Sequence, residues 1–450
     1  MTTTVAVVGG GITGLTAALT ATRLLPAGSR VVLLEAHDRL GGKIRTDVVD
    51  GAEVEAGPDW FVTQRPEALD LCAELGLADD LVAPAVGGVH VWSRGQLKPW
   101  PSGFVRGIPT SAGRVLACDY LSLPGRVRAL ADLAWPRRLT GDDVSIGAFV
   151  RRRFGHEVLD RLVDPMLAAS RSGAADEMSL AAGAPEIDAV ARAHTSVMRA
   201  LRADPGGGPG FAGLTGGMER LVDALHQVLG DAEIRTRARA ESVVRTSRGY
   251  TLELAGGEAV DADGVVLAVP SFEAAKLLRA LSAEASAALR TIDYAPAVVV
   301  GLVYGPGDVR APDDASGFLI PTSDRRVLTA AAWFSSKWPH AAPPDGGSVV
   351  RCFAGEAALD LDDGDLVDAL CDELATIAGV SATPRATHVV RWERALPLYA
   401  VGHLTRVEAA RRALEAHPRL AVAGAGLKGS GLPACIAQGR AAAHRAVEQR

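Results

Sequence analysis

The two ends of the chain carry the same pattern, a short apolar strand followed by glycines and a helix of small residues. "TVAVVGGGITGLTAALTATRLL" begins at position 4, and "LAVAGAGLKGSGLPACIAQGRAAAHRAV" spans 420–447. An apolar strand that ends in glycine and opens a helix is typical of a nucleotide-binding unit. A second apolar strand, "RVVLL", occupies 30–34. We therefore predict an α/β, Rossmann-like domain that is discontinuous, because both ends of the chain contribute to it.

The middle of the chain changes its pattern twice. Residues 123–203 have mostly helical periodicity, and "ADPGGGPGF" at 203–211 has the composition of a linker. From 284 to about 390 apolar and polar positions alternate around a helix predicted at 365–378, which indicates a mostly antiparallel α+β domain. Another helix is predicted at 66–83. The predicted division is a nucleotide-binding domain over 1–83, 211–283 and 391–450, a mostly helical insertion over 84–210, and an α+β substrate domain over 284–390.

Composition narrows the classes of function. A net charge of -6 over 450 residues argues against a nucleic-acid partner. No run of 18 apolar residues occurs, so no transmembrane segment is predicted. Five cysteines are scattered without a C-x-x-C pair, which predicts a reduced protein in the cytoplasm. The ten histidines lack the spacing of metal ligands, so no metal site is predicted.

The first strand–turn–helix unit contains a dinucleotide-binding motif. Gly9, Gly11 and Gly14 satisfy G-x-G-x-x-G, which permits a tight turn, close approach to a pyrophosphate and close packing of the helix. Glu35 ends the second strand, where a carboxylate can accept both ribose hydroxyls of an adenosine. The neighbouring residues expected to contact the same ligand are Gly10, Ile12, Thr13 and Ala36. These residues predict ADP-ribose binding and leave the identity of the dinucleotide open.

The next two segments decide between the dinucleotides. "DRLGGKIRT" begins at 38 and "EVEAGPDWF" at 53. Together they resemble the flavin-containing amine oxidase superfamily, which uses FAD. The resemblance implies noncovalent FAD with Gly42 and Lys43 along its pyrophosphate, and it implies that the C-terminal glycine segment passes under the flavin. It also implies a turn beneath the isoalloxazine ring, formed by Gly57, Pro58, Asp59 and Trp60. For Trp60, a place in the core is the alternative.

Longer stretches resemble one branch of that superfamily, the porphyrinogen oxidases of haem biosynthesis. They include "PSGFVRGIPTS", "FAGLTGGMERLVDAL", "RWERALPLYAVGH" and "GSGLPACIAQGRAAA", and the similarity covers nearly the whole chain. The resemblance implies removal of six electrons from a porphyrinogen, with dioxygen as acceptor and hydrogen peroxide as the second product. Coproporphyrinogen III is the expected substrate and protoporphyrinogen IX the runner-up. An amine or carotenoid oxidase, or a non-enzymatic escort protein of the same fold, is the remaining alternative.

The same resemblance assigns roles to individual residues. Arg106 is expected to pair with a substrate propionate, with a surface ion pair as the alternative. Further candidates for the substrate's carboxylates are Lys98, Arg171 and Lys337. Arg171 lies in "AASRSGAADEMSL", where the family usually has glycine, an aromatic residue and Ala-Gly, so the pocket departs from the family there. Further cofactor contacts are expected from Val243, Trp392, Ser430, Gly431 and Leu432.

No side chain is expected to be catalytic, because the flavin would carry the chemistry. Cys435 is expected to be a buried free thiol rather than a covalent flavin link. His403 is expected to be structural. The acidic stretch at 359–370 is expected to cap a helix rather than bind calcium. Transient contacts with other enzymes of haem synthesis are also expected.

Overall fold

A five-stranded parallel sheet forms the centre of the nucleotide-binding region. The computed structural model describes residues 3–135, 137–171, 175–203 and 210–448. The sheet has the strand order Glu233–Arg235, Arg30–Leu34, Thr4–Val8, Gly264–Leu267 and Leu420–Val422. These strands are short apolar runs, as expected for parallel strands covered by helices. Strand Thr4–Val8 is central and Leu420–Val422 lies at one edge, so both ends of the chain enter one sheet as predicted.

The first and the last helix pack against each other beside this sheet. They are Ile12–Leu24 and Leu432–Val447. A Cβ atom at Gly439 would lie 2.3 Å from the carbonyl oxygen of Thr13. Because a contact below 3.0 Å between these atoms is sterically forbidden, the two helix backbones approach to a distance that only glycine allows.

A seven-stranded, mostly antiparallel sheet forms the second layer of the molecule. Its strand order is Ala386–Pro397, Tyr294–Tyr304, Ser348–Ala354, Leu328–Trp333, Gly317–Leu319, His90–Ser93 and Gln96–Pro99. Helix Asp363–Ala378 packs beside it and matches the helix predicted at 365–378. The Asp362 side chain accepts a hydrogen bond from the Asp365 N–H at 2.9 Å, which confirms the predicted helix cap.

Two strands of this sheet, His90–Ser93 and Gln96–Pro99, lie outside the range predicted for it, and a third crosses the boundary of that range. His90–Ser93 pairs in parallel with Gly317–Leu319, although positions 84–210 are predicted to be mostly helical. Ala386–Pro397 crosses the predicted boundary at 390 and pairs along Tyr294–Tyr304. Pairing between strands so distant in sequence leaves no local signal, whereas the predicted boundaries rest on local composition.

A bundle of short helices fills the region after the hairpin of Phe104–Val105 and Ile108–Pro109. The helices are Ala112–Ala117, Leu123–Leu130, Ile146–Phe154, His156–Val158, Asp164–Arg171, Leu180–Gly183, Pro185–Ala193 and Val197–Ala203. A π-helical turn, Leu159–Val163, precedes Asp164–Arg171. Arg153 Nη1 lies 2.9 Å from Asp132 Oδ1 inside the bundle, where both side chains are buried. Most of the predicted linker at 203–211 lies outside the described residues.

Smaller elements connect these layers. The short sheets are Thr46–Val49 with Ala52–Glu55, Phe61–Val62 with Phe211–Leu214 and Leu81–Val82, and Ala240–Arg245 with Tyr250–Leu254 and Ala259–Ala262. The remaining α-helices are Glu67–Glu74, Arg220–Val228, Ser271–Leu277, Ala283–Arg290, Phe334–Lys337 and His403–Ala413. The helix predicted at 66–83 is thus shorter, because Gly76 adopts φ +73° just beyond its end. Across the described ranges, no helix is both long enough and apolar enough to cross a bilayer.

Candidate active site

The glycines of the first turn serve two different purposes. A Cβ at Gly14 would lie 1.8 Å from the carbonyl oxygen of Gly9, so Gly14 lets the helix begin against the strand. Gly11 is less crowded, because the nearest atom to its Cβ would be Gly42 Cα at 4.0 Å. The backbones of Gly11 and Gly42 thus approach each other closely just after the strand Thr4–Val8, and we call the residues around this approach the groove. Side chains at these positions would narrow the space where the sequence predicts a pyrophosphate.

Glu35 is fixed by two backbone N–H groups beside this groove. Its Oε2 accepts the Gly10 N–H at 2.7 Å and its Oε1 accepts the His37 N–H at 2.8 Å. The side chain is buried at the end of strand Arg30–Leu34, with Ala36 following it. A carboxylate oxygen can accept more than one hydrogen bond, so both oxygens retain acceptor capacity. The predicted ribose contact is compatible with this arrangement and stays a prediction.

Lys43 is a partly buried cation in the same groove. Burial lowers the pKa of its ammonium group, and the nearby Cys435 thiol opposes that shift only in part. Among the described residues, no carboxylate contributes to its electrostatic environment. A buried charge without a counter-ion is costly unless a ligand supplies one. The residues of the groove therefore fit an anionic group such as the pyrophosphate of FAD.

The C-terminal segment supplies a second helix N-terminus. Helix Leu432–Val447 begins after Gly431, and no described side chain caps it; the same is true of helix Ile12–Leu24 after Gly11. The first N–H groups of both helices are thus available to an anionic or electron-rich ligand. A Cβ at Gly431 would meet no atom closer than 3.9 Å. Ser430 precedes this turn, and Leu432 is buried behind it.

Cys435 lies one turn into this last helix as a buried thiol. Burial raises the pKa of the thiol to about 11, with a partial opposing effect from a hydrogen bond with Thr13. The thiol is therefore protonated at neutral pH and is a poor nucleophile. The predicted free thiol is confirmed, and its protonated state is consistent with a noncovalent flavin.

The turn Gly57–Trp60 is held by a buried charge cluster around Asp59. Asp59 accepts hydrogen bonds from Lys337 Nζ at 2.6 Å, Trp338 Nε1 at 2.9 Å and Arg351 Nη1 at 2.9 Å. Only 8% of Asp59 and 2% of Arg351 are exposed. Burial alone would raise the pKa of Asp59, but Lys337 and Arg351 lower it to about 2. Arg351 also donates to the carbonyl oxygen of Gly57, so one side chain holds both ends of the turn.

Glu55 adds a proton-holding group beside this cluster. Burial raises the pKa of its carboxyl group to about 8, although the Met218 N–H, 2.6 Å from Oε1, opposes the shift. Its Oε2 is buried without a partner among the described residues, and the cavity it lines also borders Glu53 and Asp59. The carboxyl group is therefore mostly neutral at pH 7.

Sequence reasoning missed the functional partners of this turn. Arg351 and Glu55 were given no role, although Glu55 belongs to the quoted "EVEAGPDWF" segment. The available signal is a single arginine inside the apolar strand "SVVRCFA". A buried arginine requires a carboxylate partner, and the pattern alone does not say which one.

The aromatic residues near the turn have different environments. Trp60 is 37% exposed and packs edge-to-face on Phe211 at 4.3 Å, so it does not lie in the core. Trp392 donates from Nε1 to the carbonyl oxygen of Ala56 at 2.8 Å, which supports the start of the turn. Val243 is fully buried in strand Ala240–Arg245, where it pairs with Leu252. Direct cofactor contacts by these three residues stay predictions.

The cations predicted to meet the substrate are already paired. Lys98 Nζ lies 2.6 Å from Asp119 Oδ2, and Arg106 forms an ion pair with Glu186. The ammonium group of Lys337 is held by buried Asp59, and its contact with a substrate stays a prediction. The side chain of Arg171 lies outside the described residues. The ion pair of Arg106 is the surface pair named above as the alternative to a propionate contact. The contact of Arg106 with a substrate stays a prediction.

His403 is structural, as its surroundings show. It is fully buried, stacks on Tyr399 at 4.3 Å, and its Nε2 lies 2.8 Å from the carbonyl oxygen of Leu427. Burial lowers the pKa of its imidazole, so the ring is neutral at pH 7. Throughout the part of the chain that the structure describes, no group of histidine, cysteine and carboxylate side chains is arranged to hold a metal ion.

The match to a known protein family decides the cofactor. Residues 12–447 match the flavin containing amine oxidoreductase family. The chain belongs to this family. Membership confirms the predicted resemblance, the predicted α/β flavin-binding fold and FAD as the cofactor, because nearly the whole chain is matched and the groove described above fits that group.

Individual relatives in the family cover the chain almost from end to end. The coproporphyrinogen III oxidase of Bacillus subtilis is 33% identical, and the match covers 98% of this chain and 97% of the relative. The coproporphyrinogen III oxidase of Mycobacterium tuberculosis H37Rv is 36% identical, with 97% and 95% covered. A solved structure from Exiguobacterium sp. 255-15, provisionally named a protoporphyrinogen oxidase, superimposes with a TM-score of 0.88 at 29% identity. The superposition covers 99% of this chain and 98% of that structure.

Proposed function

We propose that the chain is a coproporphyrinogen III oxidase that forms coproporphyrin III in haem biosynthesis. The supporting observation is end-to-end similarity to relatives with that name, at 33% and 36% identity. The reaction removes six electrons and six protons from the porphyrinogen, and three dioxygen molecules become three hydrogen peroxide molecules. Bound FAD supplies the hydride-accepting and dioxygen-reducing chemistry.

The residues of the groove have separate tasks in this proposal. Gly11 and Gly42 allow the backbone to approach the pyrophosphate, and Lys43 neutralises its charge. Glu35 accepts the ribose hydroxyls. The other proposed contacts are Gly9, Gly10, Ile12, Thr13, Gly14, Ala36, Val243, Trp392, Ser430, Gly431 and Leu432. Together these contacts hold the cofactor and so position its flavin ring. None of these residues needs to donate a proton to the substrate or accept one from it.

The Asp59 cluster holds the proposed floor of the ring site. Gly57, Pro58, Asp59 and Trp60 form one rigid turn, because Arg351 binds both its carbonyl oxygen at 57 and its carboxylate at 59. A fixed turn keeps the distance between flavin and substrate constant through successive oxidations. Burial of the cluster also keeps water from this side of the site.

Arg106 binds a propionate of the substrate in this proposal. The guanidinium group is half-exposed and paired with Glu186, so it can exchange its partner. Coproporphyrinogen III has four propionates, whereas protoporphyrinogen IX has two and carries vinyl groups instead. Protoporphyrinogen IX is the second candidate substrate because the Exiguobacterium protein is named for it.

The proposal also includes a cytoplasmic location, which the free cysteines support, and transient contacts with other haem-synthesis enzymes.

The test measures the rate of aerobic turnover from the increase in porphyrin fluorescence. The purified protein is expected to be yellow, to release FAD on heating or acidification, and to show a higher kcat/KM with coproporphyrinogen III. Raising the salt concentration should narrow the difference between the substrates. A higher kcat/KM with protoporphyrinogen IX would assign the second candidate. Flavin reduction by amines alone would contradict both, and a protein that takes up no FAD would favour the escort alternative.

A further inference from the structure

The glycine loop at 424–431 is held through its carbonyl oxygens by two stacked rings. The Tyr399 hydroxyl donates a hydrogen bond to the carbonyl oxygen of Ala425 at 2.5 Å. His403 Nε2 lies 2.8 Å from the carbonyl oxygen of Leu427, and because a carbonyl oxygen only accepts, the ring nitrogen is the donor. Both rings are buried and stack on each other at 4.3 Å, so they fix the first half of the loop.

Gln438 holds the second half of the glycine loop from the last helix. Its Nε2 donates to the carbonyl oxygen of Lys428 at 3.0 Å and lies 3.4 Å from that of Gly429. In a trans peptide group, the carbonyl oxygen and the following N–H point in opposite directions. The held carbonyl groups therefore direct the N–H groups of 426 and 428–430 away from the three side chains. Among the described residues, no backbone oxygen accepts a hydrogen bond from these N–H groups, so they are available to a ligand.

The segment 399–403 carries both rings and also pairs with the helical region. Its backbone forms an antiparallel bridge with 177–179, with N–H···O distances of 2.7 and 3.1 Å. The Gly402 N–H donates to Asp143 Oδ2 at 2.9 Å. The bridged residues lie in the stretch 168–180, where the sequence departs from the family pattern. One short segment thus connects the helical region with the glycine loop.

We infer that Tyr399 is a positioning residue that couples the helical region to FAD, because the contacts of segment 399–403 with the helical region set the orientation of the glycine loop. N–H groups favour negative charge, and at neutral pH the reduced flavin is more negative than the oxidised flavin. A change in loop orientation therefore alters both the affinity for FAD and the reduction potential of the bound FAD. This coupling requires FAD beside Ser430 and Gly431, and it requires no particular substrate.

Tyr399→Phe removes the hydroxyl group and keeps the ring that stacks on His403. The dissociation constant of FAD should rise roughly two- to tenfold, the scale of one hydrogen bond. The midpoint potential of bound FAD should fall, because the loosened N–H groups stabilise the reduced flavin less. Fluorescence titration of the apo-protein measures the dissociation constant, and spectroelectrochemistry of the FAD-loaded protein measures the potential.

Tyr250→Phe is the matched control. Tyr250 is 3% exposed, as is Tyr399, and its hydroxyl donates to the carbonyl oxygen of Pro418 at 2.7 Å, before the edge strand Leu420–Val422. This variant should lose about as much stability in denaturant unfolding, yet keep the dissociation constant and the midpoint potential of the parent. An equal fall in potential in Tyr250→Phe and Tyr399→Phe would overturn the positioning role, and so would a potential in Tyr399→Phe that equals the parent's.

Asp143→Ala tests the coupling from the helical region. It removes the acceptor of the Gly402 N–H without touching the glycine loop, so the same two quantities should shift in the same direction by a smaller factor. Combined with Tyr399→Phe, the fold change in the dissociation constant should be smaller than the product of the two single changes, because both substitutions act through one segment. Combined with Gln438→Leu, which frees the loop from the last helix, the fold change should equal that product.

Asp142→Ala, at the exposed neighbouring position, is the control for Asp143→Ala and should behave as the parent does. Unchanged FAD affinity and potential in Asp143→Ala would overturn the coupling, and so would a double variant with Tyr399→Phe in which the single fold changes multiply fully. If Tyr399→Phe fails to fold, Asp143→Ala still decides, because the potential shifts only if segment 399–403 transmits the change. No porphyrinogen is used, so this outcome is separate from that of the turnover test.

Discussion

Lys337 Nζ lies 2.6 Å from Asp59 Oδ2 and links the Gly57–Trp60 turn to helix Phe334–Lys337, which follows the central strand of the seven-stranded sheet. Arg351 reaches the other oxygen of the same carboxylate at 2.9 Å. Two cations thus share one anion in a buried place, and the neighbouring Glu55 is neutral at pH 7. Together the side chains of Asp59, Lys337 and Arg351 carry a net positive charge.

Removing the shared anion should destabilise the fold. Asp59→Asn leaves Lys337 and Arg351 buried without a counter-ion, which is expected to cost about 3–5 kcal/mol in the free energy of unfolding. Denaturant unfolding of the apo-protein measures this loss. The control is Asp345→Asn, because Asp345 pairs with Arg385 at the surface, and its midpoint should equal that of the parent. Equal midpoints for both variants would contradict a structural role for the cluster.

Glu55 should make stability depend on pH. Its pKa is about 8 in the folded protein and ordinary, near 4.5, in the unfolded chain. The contribution of Glu55 to the free energy of unfolding is therefore fully present below pH 4.5, and it falls as pH rises to about 8, at up to about 1.4 kcal/mol per pH unit. Urea unfolding of the parent and of Glu55→Gln at pH 5, 7 and 9 tests this. As pH rises, the free energy of unfolding of Glu55→Gln should increase relative to that of the parent. If the two free energies changed with pH in parallel, the prediction would be wrong.

The two glycines of the first turn should respond differently to alanine. Gly14→Ala places a methyl group 1.8 Å from the Gly9 carbonyl oxygen, so stability should fall by roughly 1–3 kcal/mol or more. The added methyl group of Gly11→Ala would meet only Gly42 Cα, at 4.0 Å, and should cost less than about 1 kcal/mol. Flavin absorbance per protein should nevertheless drop in Gly11→Ala. If Gly11→Ala retained full flavin, Gly11 would not border the pyrophosphate site.

Lys43 should matter for the cofactor more than for the fold. Lys43→Met removes a partly buried charge that lacks a counter-ion, so the apo-protein should be as stable as the parent or more stable. The dissociation constant for FAD should rise roughly tenfold or more, the scale of a charged hydrogen bond. Fluorescence titration of apo-protein measures it, with Lys276→Met, a surface lysine paired with Glu273, as the control. An unchanged constant would remove Lys43 from the site.

Local sequence patterns predict those parts of the site that need close approach of the backbone to a ligand or to another element. Gly9, Gly11 and Gly14 lie where G-x-G-x-x-G places them, and strand Leu420–Val422 joins the predicted sheet. Such motifs are readable because close backbone approach demands glycine at fixed spacing. Arg351 and Glu186 were not predictable, since each acts through a partner far away in sequence. Side-chain pairing across the fold has no fixed spacing, so it becomes visible only in three dimensions.

The close contact between Gly439 and Thr13 also constrains how the protein is made. The strand Thr4–Val8 is synthesised about 400 residues before the helix that packs against its following helix. Until that late helix is synthesised, one edge strand and one side of the cofactor site do not exist. FAD capture must therefore follow synthesis of the late helix, and until then the newly made N-terminal segment holds apolar surface that a chaperone can bind.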